Sequence, residues 1–386
     1  MKTLFWISAA FVVYVYFGYP ALLWLLKSFA RHSSKKEQIE PSVTLLVAAH
    51  NESDVIAAKL RNALALDYPA AKLEIVIASD GSNDNTAEIV RSIAEAEGAG
   101  RVHLLEFPEN RGKVTTLNDA LSRLTTEIVA FSDASSMLAP DSLRRLTQHF
   151  ADPKVGAVSG VYRVLKQDQA RLGGQEDFYW KYETFLKVQE AGLGAFTGAH
   201  GSLYAVRTEL YPFPAADTIN DDFIIPMRIR QRGYRVDYEP AAVAYEEAHE
   251  MEGFSRRVRI TAGNIDQLRE INGMLWPPQF MSLFCLLSHK AARLLVPVAM
   301  LLVLVLNFLL WKDWHYRWLL AGQVAFYGLA ALGALVALRP KFLRLPYYFC
   351  MINFAFFAWI YFALRMRRLV PSRVALDRIG KTPSAS

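Results

Sequence analysis

Cysteine is almost missing from this chain: only Cys285 and Cys350 occur, and both fall in apolar segments. That excludes a disulfide framework and a cysteine metal site, and leaves the buried, inert thiol as the ordinary reading. Internal repeats are missing too. Nowhere in the polar part do basic residues interleave with aromatics, so the net charge of +6 does not ask for nucleic acid. It fits basic collars at a membrane surface. Charge as such is scarce, at 21% of residues against 53% hydrophobic, and the shortage is concentrated. Leu4 to Leu26 carries no charge and matches the ~20 residues that cross hydrocarbon.

At 386 residues the chain is long enough for one large domain and several membrane helices. A secretory signal would have a shorter apolar run and a small-residue cleavage site, and none follows, so residues 1–30 read as an N-terminal anchor. Lys27, Arg31, Lys35 and Lys36 follow it against only Lys2 before, which predicts the cytoplasm for the domain downstream. The expected home is the cell (inner) membrane, multi-pass. Apolar segments return at Leu294 to Leu310, Trp318 to Leu338 and about Tyr347 to Leu364, three crossings within 293–366. The stretch 274–292, with Pro277 and Pro278 ahead of FMSLFCLLSHKAARLL, reads as interfacial or re-entrant. Three crossings put the basic tail, 367–386, outside, while Arg365, Arg367, Arg368, Arg373 and Arg378 argue for inside. The closing KTPSAS reads as a short disordered tail.

Between the membrane segments, 42–270 reads as one α/β domain. VTLLVAA (Val43 to Ala49), LEIVIAS (Leu73 to Ser79), VHLLE (Val102 to Glu106) and EIVAFS (Glu127 to Ser132) are β-branched, apolar runs separated by helical patterns, the signature of βαβ units in a parallel sheet. Ligands of such sheets bind at the carboxyl ends of the strands. His50, Asn51, Glu52, Asp80 and Asp133 all lie just past those ends.

Asp80 opens DGSNDNT, which reads either as a capped βα turn or, beside AAHNES, as a carboxylate for uracil and ribose hydroxyls. Asp133 ends an apolar strand, where an unpaired carboxylate is costly; a hard divalent cation bridging diphosphate oxygens suits it, and a loop cap is the plainer alternative. Ser135 stands where a second acid of a metal-binding pair is expected. Lys113, after Gly112 in NRGKVTTLNDAL, opens a helix, so its amine and the helix start can face phosphate or water. Asp221 and Asp222 precede FIIPMRIRQRGYRV, read as a short amphipathic helix. Adjacent buried carboxylates repel, so one is expected to be held and the other, Asp222, to face the cleft as a base; capping by the pair is the alternative. Arg256, Arg257 and Arg259 can neutralise a departing diphosphate or grip lipid headgroups. Phe178 to Phe185, FYWKYETF, is a core stretch or a sugar-stacking platform.

Taken together, these motifs resemble the membrane-bound family 2 glycosyltransferases of GT-A (Rossmann-like) fold, the wider group of cellulose, hyaluronan and poly-N-acetylglucosamine synthases. The resemblance runs from about Ser42 to Leu268 and extends in kind to one N-terminal and about three C-terminal membrane helices. It implies nucleotide-sugar binding by AHNE (Ala49, His50, Asn51, Glu52) and by Asp80 in DGSNDNT, with Asp133 beside them; Lys113 joins them on its own reading. It implies a metal, Mg²⁺ or Mn²⁺, on Asp133 and the base at Asp222 with Asp221 in the place of a Glu; diphosphate contacts from Arg256 and Arg259 are expected from their own chemistry. GAHGSLYAVR (Gly198 to Arg207) matches the acceptor-side element, which brings in Gly198, His200 and Asp221. Processive synthases of the group carry QxxRW; here Arg256 to Ile260 reads RRVRI and keeps only Arg259, so both chain extension and single transfer stay open.

The expected activity is inverting transfer from a UDP-sugar, hexosyl or N-acetylhexosaminyl, to an acceptor hydroxyl at the cytoplasmic membrane face. The partners are a glycan or lipid-linked acceptor, membrane lipids and export proteins. The competing expectation is a non-catalytic nucleotide-sugar-binding subunit of a polysaccharide assembly system.

Overall fold

The computed structural model describes residues 1–29, 35–165, 173–195, 198–247, 258, 261–265, 267–268, 272–273, 279–336 and 341–366. Its centre is a mixed sheet of β1 (Val43–Ala49), β2 (Leu73–Asp80), β3 (Val102–Phe107), β4 (Ile128–Phe131), β5 (Met137–Leu138), β6 (Val155–Leu165), β7 (Tyr204–Arg207) and β8 (Arg235–Glu247). Their spatial order is β3-β2-β1-β4-β7-β6-β8-β5. The first four strands are parallel, as the runs predict. Beyond β4 the strand direction is mixed: β7 pairs antiparallel with β4 and with β6, and β8 runs parallel to β6. Chain order reverses between β1 and β4, and the crevice at such a reversal is where ligands of open sheets bind.

Alternation along the strands feeds two cores. Val43, Leu45, Val47 and Ala49 of β1 pack with Ile56 and Leu60 of the helix Ile56–Leu64 and with Val90 and Ile93 of Thr86–Ala96. Leu46, on the opposite face, packs with Leu117 and Leu121 of Lys113–Leu121 and with Ile225 and Ile229 of Asp221–Gln231. This last helix is not amphipathic as expected. Phe223, Ile224, Ile225, Met227 and Ile229 are all buried, because the sheet covers one side and the membrane helices the other: Phe223, Ile224 and Met227 form a cluster with Leu286.

Three helices, Lys2–Phe29, Phe280–Leu309 and Trp314–Leu335, are long and apolar enough to cross a membrane, and a shorter apolar stretch runs Leu345–Tyr361. Trp6, Phe17, Trp24, Leu301 and Trp318 point outward from them, as lipid-facing residues do. The boundary expected at 292 falls inside a single helix, which takes one π-helical turn at Leu286–Ala291 and continues to Leu309. Extra residues in such turns re-aim side chains. The N-terminal helix carries the matching turn, Tyr14–Gly18, and the two meet at Tyr14 Oη and Ser288 Oγ, 3.0 Å apart.

The helix Gly173–Gly192 joins the two parts. Glu190 Oε1 accepts from Tyr19 Oη at 2.7 Å and lies 2.6 Å from His289 Nδ1; Glu183 pairs with His289 at 3.1 Å and with Arg293. Tyr182, under the Arg293 guanidinium, donates to the Tyr16 carbonyl. The aromatic stretch expected as core or sugar platform therefore packs against the membrane helices through Tyr182 and Glu183.

Candidate active site

Four loops meet at the β1/β4 crevice. After β1, Asn51 adopts φ +56°, a left-handed conformation that asparagine tolerates better than most residues. There its Oδ1 accepts from the Asn83 amide at 2.8 Å. Ser82 Oγ accepts from the Asn51 amide, and Thr86 Oγ1 from the Glu52 amide at 2.8 Å. Asp84 accepts from Ser53 and Thr86 amides at 3.1 and 3.0 Å. Burial alone would raise the Asp84 pKa, but those hydrogen bonds outweigh it and bring it to about 2. Ala49 ends the strand, buried.

Asp80 is buried, and both its oxygens are used: Oδ1 accepts from the Arg111 amide at 2.9 Å and Oδ2 from the Gly112 amide at 2.8 Å. This carboxylate fastens the next loop and with it the start of the Lys113 helix. Gly81 makes the close approach possible, since a Cβ there would sit 2.4 Å from the Asn110 nitrogen.

Lys113 then reaches across the crevice, its Nζ 2.8 Å from Asp133 Oδ1 and 3.6 Å from Asp221 Oδ2. Asp133 Oδ2 and Asp222 Oδ2 lie 3.6 and 3.5 Å from the Cβ position of Gly201, so the two carboxylates flank one backbone point. The Gly201 amide donates to Asp222 Oδ2 at 3.2 Å. Burial, then the like charge of Asp221, raises the Asp222 pKa above the ordinary carboxylate range against the pull of Lys187 and Lys113. Such a carboxyl is a candidate proton acceptor.

Pro226 explains how Asp222 is held. A proline inside a helix leaves the carbonyl four residues earlier without its partner. That carbonyl belongs to Asp222, and it accepts from the Ala199 amide at 2.8 Å. Asp222 is thus bound through backbone and side chain to one segment, 199–201. The buried Lys187 fixes the same segment by donating to the Ala199 carbonyl at 3.1 Å; burial lowers its pKa to about 8. Gly198, at φ +122°, lies against Phe223, where a Cβ would approach the ring to 2.9 Å.

Not every expected residue reaches the crevice. His200 is buried, with Nε2 3.0 Å from Tyr238 Oη and its ring beside Trp180; burial and Lys187 hold its pKa well below the ordinary value, so it is a neutral core histidine. Arg256, Arg257 and Arg259 lie outside the described residues. Val258 is buried in a cluster with Ile219, Ala262 and Trp359. Ser135 donates to Glu246 Oε1 at 2.6 Å.

Does this donor set suit a divalent cation? Among the described residues no group of three or more histidine, cysteine or acidic side chains could hold one unaided. Magnesium-type sites, however, use one or two carboxylates completed by phosphate and water. Asp133, more than a third exposed and now facing an ammonium, fits that mode, and the buried Asp221 Oδ2 has no hydrogen-bond donor among the described residues. Lys113 stands where a cation's charge is wanted. Sequence reasoning passed over Lys59, Lys187 and Pro226, since each sits in an unremarkable helical stretch; only Pro226, in a helix interior, carried a local signal.

A family model described as glycosyltransferase like family 2 matches residues 41–262. The poly-beta-1,6-N-acetyl-D-glucosamine synthase of Staphylococcus aureus (strain MSSA476) is 31% identical over 232 residues, 58% of this chain and 55% of that protein. The Staphylococcus epidermidis protein of the same name is 26% identical over 270 residues, covering 68% of this chain and 63% of its own length. The chain thus matches little more than half the length of these curated relatives. Among solved structures, the mannosyltransferase PcManGT from Pyrobaculum calidifontis, in complex with GDP-Man and Mn²⁺, gives a TM-score of 0.70 at 27% identity, covering 92% of this chain and 99% of that one. Because the family model matches more than half of the chain and the solved mannosyltransferase shares its fold, the chain belongs to the family 2 glycosyltransferases, with the GT-A fold and kinship to the poly-N-acetylglucosamine synthases.

Proposed function

We propose that this protein transfers a sugar, with inversion, from a nucleoside diphosphate sugar to an acceptor hydroxyl at the cytoplasmic face of the cell membrane, in polysaccharide or glycolipid synthesis. The observation that carries the proposal is the pairing of Asp133 and Asp222 around Gly201, with Lys113 on Asp133. Asp222 takes the acceptor's hydroxyl proton as that oxygen bonds to the anomeric carbon and the bond from that carbon to the diphosphate breaks. Burial beside Asp221 raises its proton affinity, which suits a base that must hold the proton until product leaves. Lys113 and the amides at the start of its helix stabilise charge gathering on the departing diphosphate. Asp133 would hold Mg²⁺ or Mn²⁺, with Asp221 nearby; the ion supplies Lewis-acid stabilisation of that leaving group. Asn51, Glu52 and the Asp80 loop frame the nucleoside. Arg256 and Arg259 keep their proposed role at the diphosphate, and Gly198 and Asp221 theirs beside the acceptor; His200 acts there only through the backbone it packs.

UDP is the first choice of carrier, in keeping with the resemblance to polysaccharide synthases. GDP-mannose is the second, supported by similarity along nearly the whole chain to a mannosyltransferase solved with it. The deciding experiment incubates the purified full chain with a panel of UDP- and GDP-sugars, measures nucleotide release and sizes the product. One donor should be consumed, giving polymer, oligosaccharide or extractable glycolipid. Release from none, with every acceptor tried, favours the non-catalytic subunit.

A further inference from the structure

Lys59 lies on the helix Ile56–Leu64 in line with Ile56, Leu60 and Ala63, fully buried at 0% exposure. Stability alone would place an apolar side chain here, because an ammonium is costly to bury. What the lysine does instead is hydrogen-bond. Its Nζ donates to Ser132 Oγ at 2.6 Å and to the Ser136 carbonyl, the two ends of the turn that carries Asp133. Ser132 Oγ donates in turn to the Ser202 carbonyl at 2.8 Å. Ser202 follows Gly201, whose amide binds Asp222 Oδ2. One buried nitrogen therefore ties together both carboxylate-bearing parts of the crevice. Burial brings its pKa down to about 7 against the charges of Asp133 and Glu246. The neutral amine still has two N–H groups, one for each acceptor, so the tether survives loss of the proton.

We infer that Lys59 is a positioning residue that keeps Asp133 and, through Ser132 and the Gly201–Ser202 backbone, Asp222 in register with each other. Its consequence for turnover rests on the proposed function; the tether itself does not. The test compares the full chain in nanodiscs with its Lys59→Met variant, which keeps length and loses both donors. Hydrogen exchange should quicken about tenfold in 132–136 and 199–203 and stay unchanged in the Asp80–Gly81 turn. Turnover should fall about tenfold or more with the donor KM held within about threefold, since misplacement of reacting groups affects rate before affinity. Mn²⁺ binding in the presence of UDP, read by electron paramagnetic resonance, should weaken. Coulomb's law alone predicts the reverse, because the variant removes a positive charge near Asp133. Ser132→Ala and Lys59→Met together should cost less than the sum of their separate losses, because the Lys59–Ser132 link is broken by either one. Unchanged exchange in the two segments, quickening throughout the domain, tighter Mn²⁺ binding, or additive losses would overturn the inference. If the parent chain releases nucleotide from no donor, the functional reading falls and the exchange pattern alone decides the role of Lys59.

Discussion

The two sides of the crevice are built on opposite plans. On the side proposed for the nucleotide, after β1 and β2, polar side chains are consumed within the protein: Asp80 by two amides, Asp84 by two more and the Thr86 hydroxyl, Asn51 by the Asn83 amide. On the side proposed for transfer, charges face charges: Lys113 stands between Asp133 and Asp221, Asp222 neighbours Asp221, and Asp221 Oδ2 has no hydrogen-bond donor among the described residues. The first plan gives a rigid frame whatever is bound. The second leaves electrostatic demand for a ligand to satisfy, as expected where charge develops in a reaction.

The largest effect should come from the transfer side. Asp222→Asn is expected to lower nucleotide release by about 10²- to 10⁴-fold, the usual worth of a general base, while nucleotide affinity measured calorimetrically stays near that of the parent. Equal loss of both would mean that the two sides are not separate. On the frame side, Asp80→Ala removes two hydrogen bonds to a buried carboxylate, each worth about 1.5–3 kcal/mol, and should lower the melting temperature while weakening nucleotide binding. A smaller effect should appear in pH profiles. The base must be ionised to act, so activity falls on acidification through the raised Asp222 pKa; Asp221→Asn removes the neighbouring charge and should move that acid limb to lower pH. A limb that does not move would assign it to another group. The smallest is Pro226→Ala. The restored amide competes with Ala199 for the Asp222 carbonyl, and turnover should drop a few-fold with no loss in melting temperature.

How far the chain discloses this in advance differs between the same two sides. The parallel half is legible because continuous β-branched runs ending in Gly, Asn and Asp have one sensible reading, and the structure places β1 to β4 within a residue or two of it. The antiparallel half is not: β6 carries Gly156 and Gly160, where Ile229 and the Ala242 carbonyl stand in the space a Cβ would take. Acids just past strand ends are visible as motifs. Whether an acid binds ligand or its own backbone is not, since Asp80 becomes a fastener only when Arg111 and Gly112 arrive from the next loop. Lys59, in AAKLRNAL, has the look of a solvated helix residue, and its burial depends on a turn some seventy residues later. His200 likewise sits in a motif yet points inward, toward Tyr238.

The most direct measurement is a cryo-electron microscopy structure of the full chain in nanodiscs with Mn²⁺ and a nucleoside diphosphate. The account predicts metal density on the Asp133 carboxylate, with Lys113 turned from it toward phosphate and Asp222 still bound to the Gly201 amide across the gap. Metal held elsewhere, or Asp222 facing away from the phosphates behind packed side chains, would contradict it.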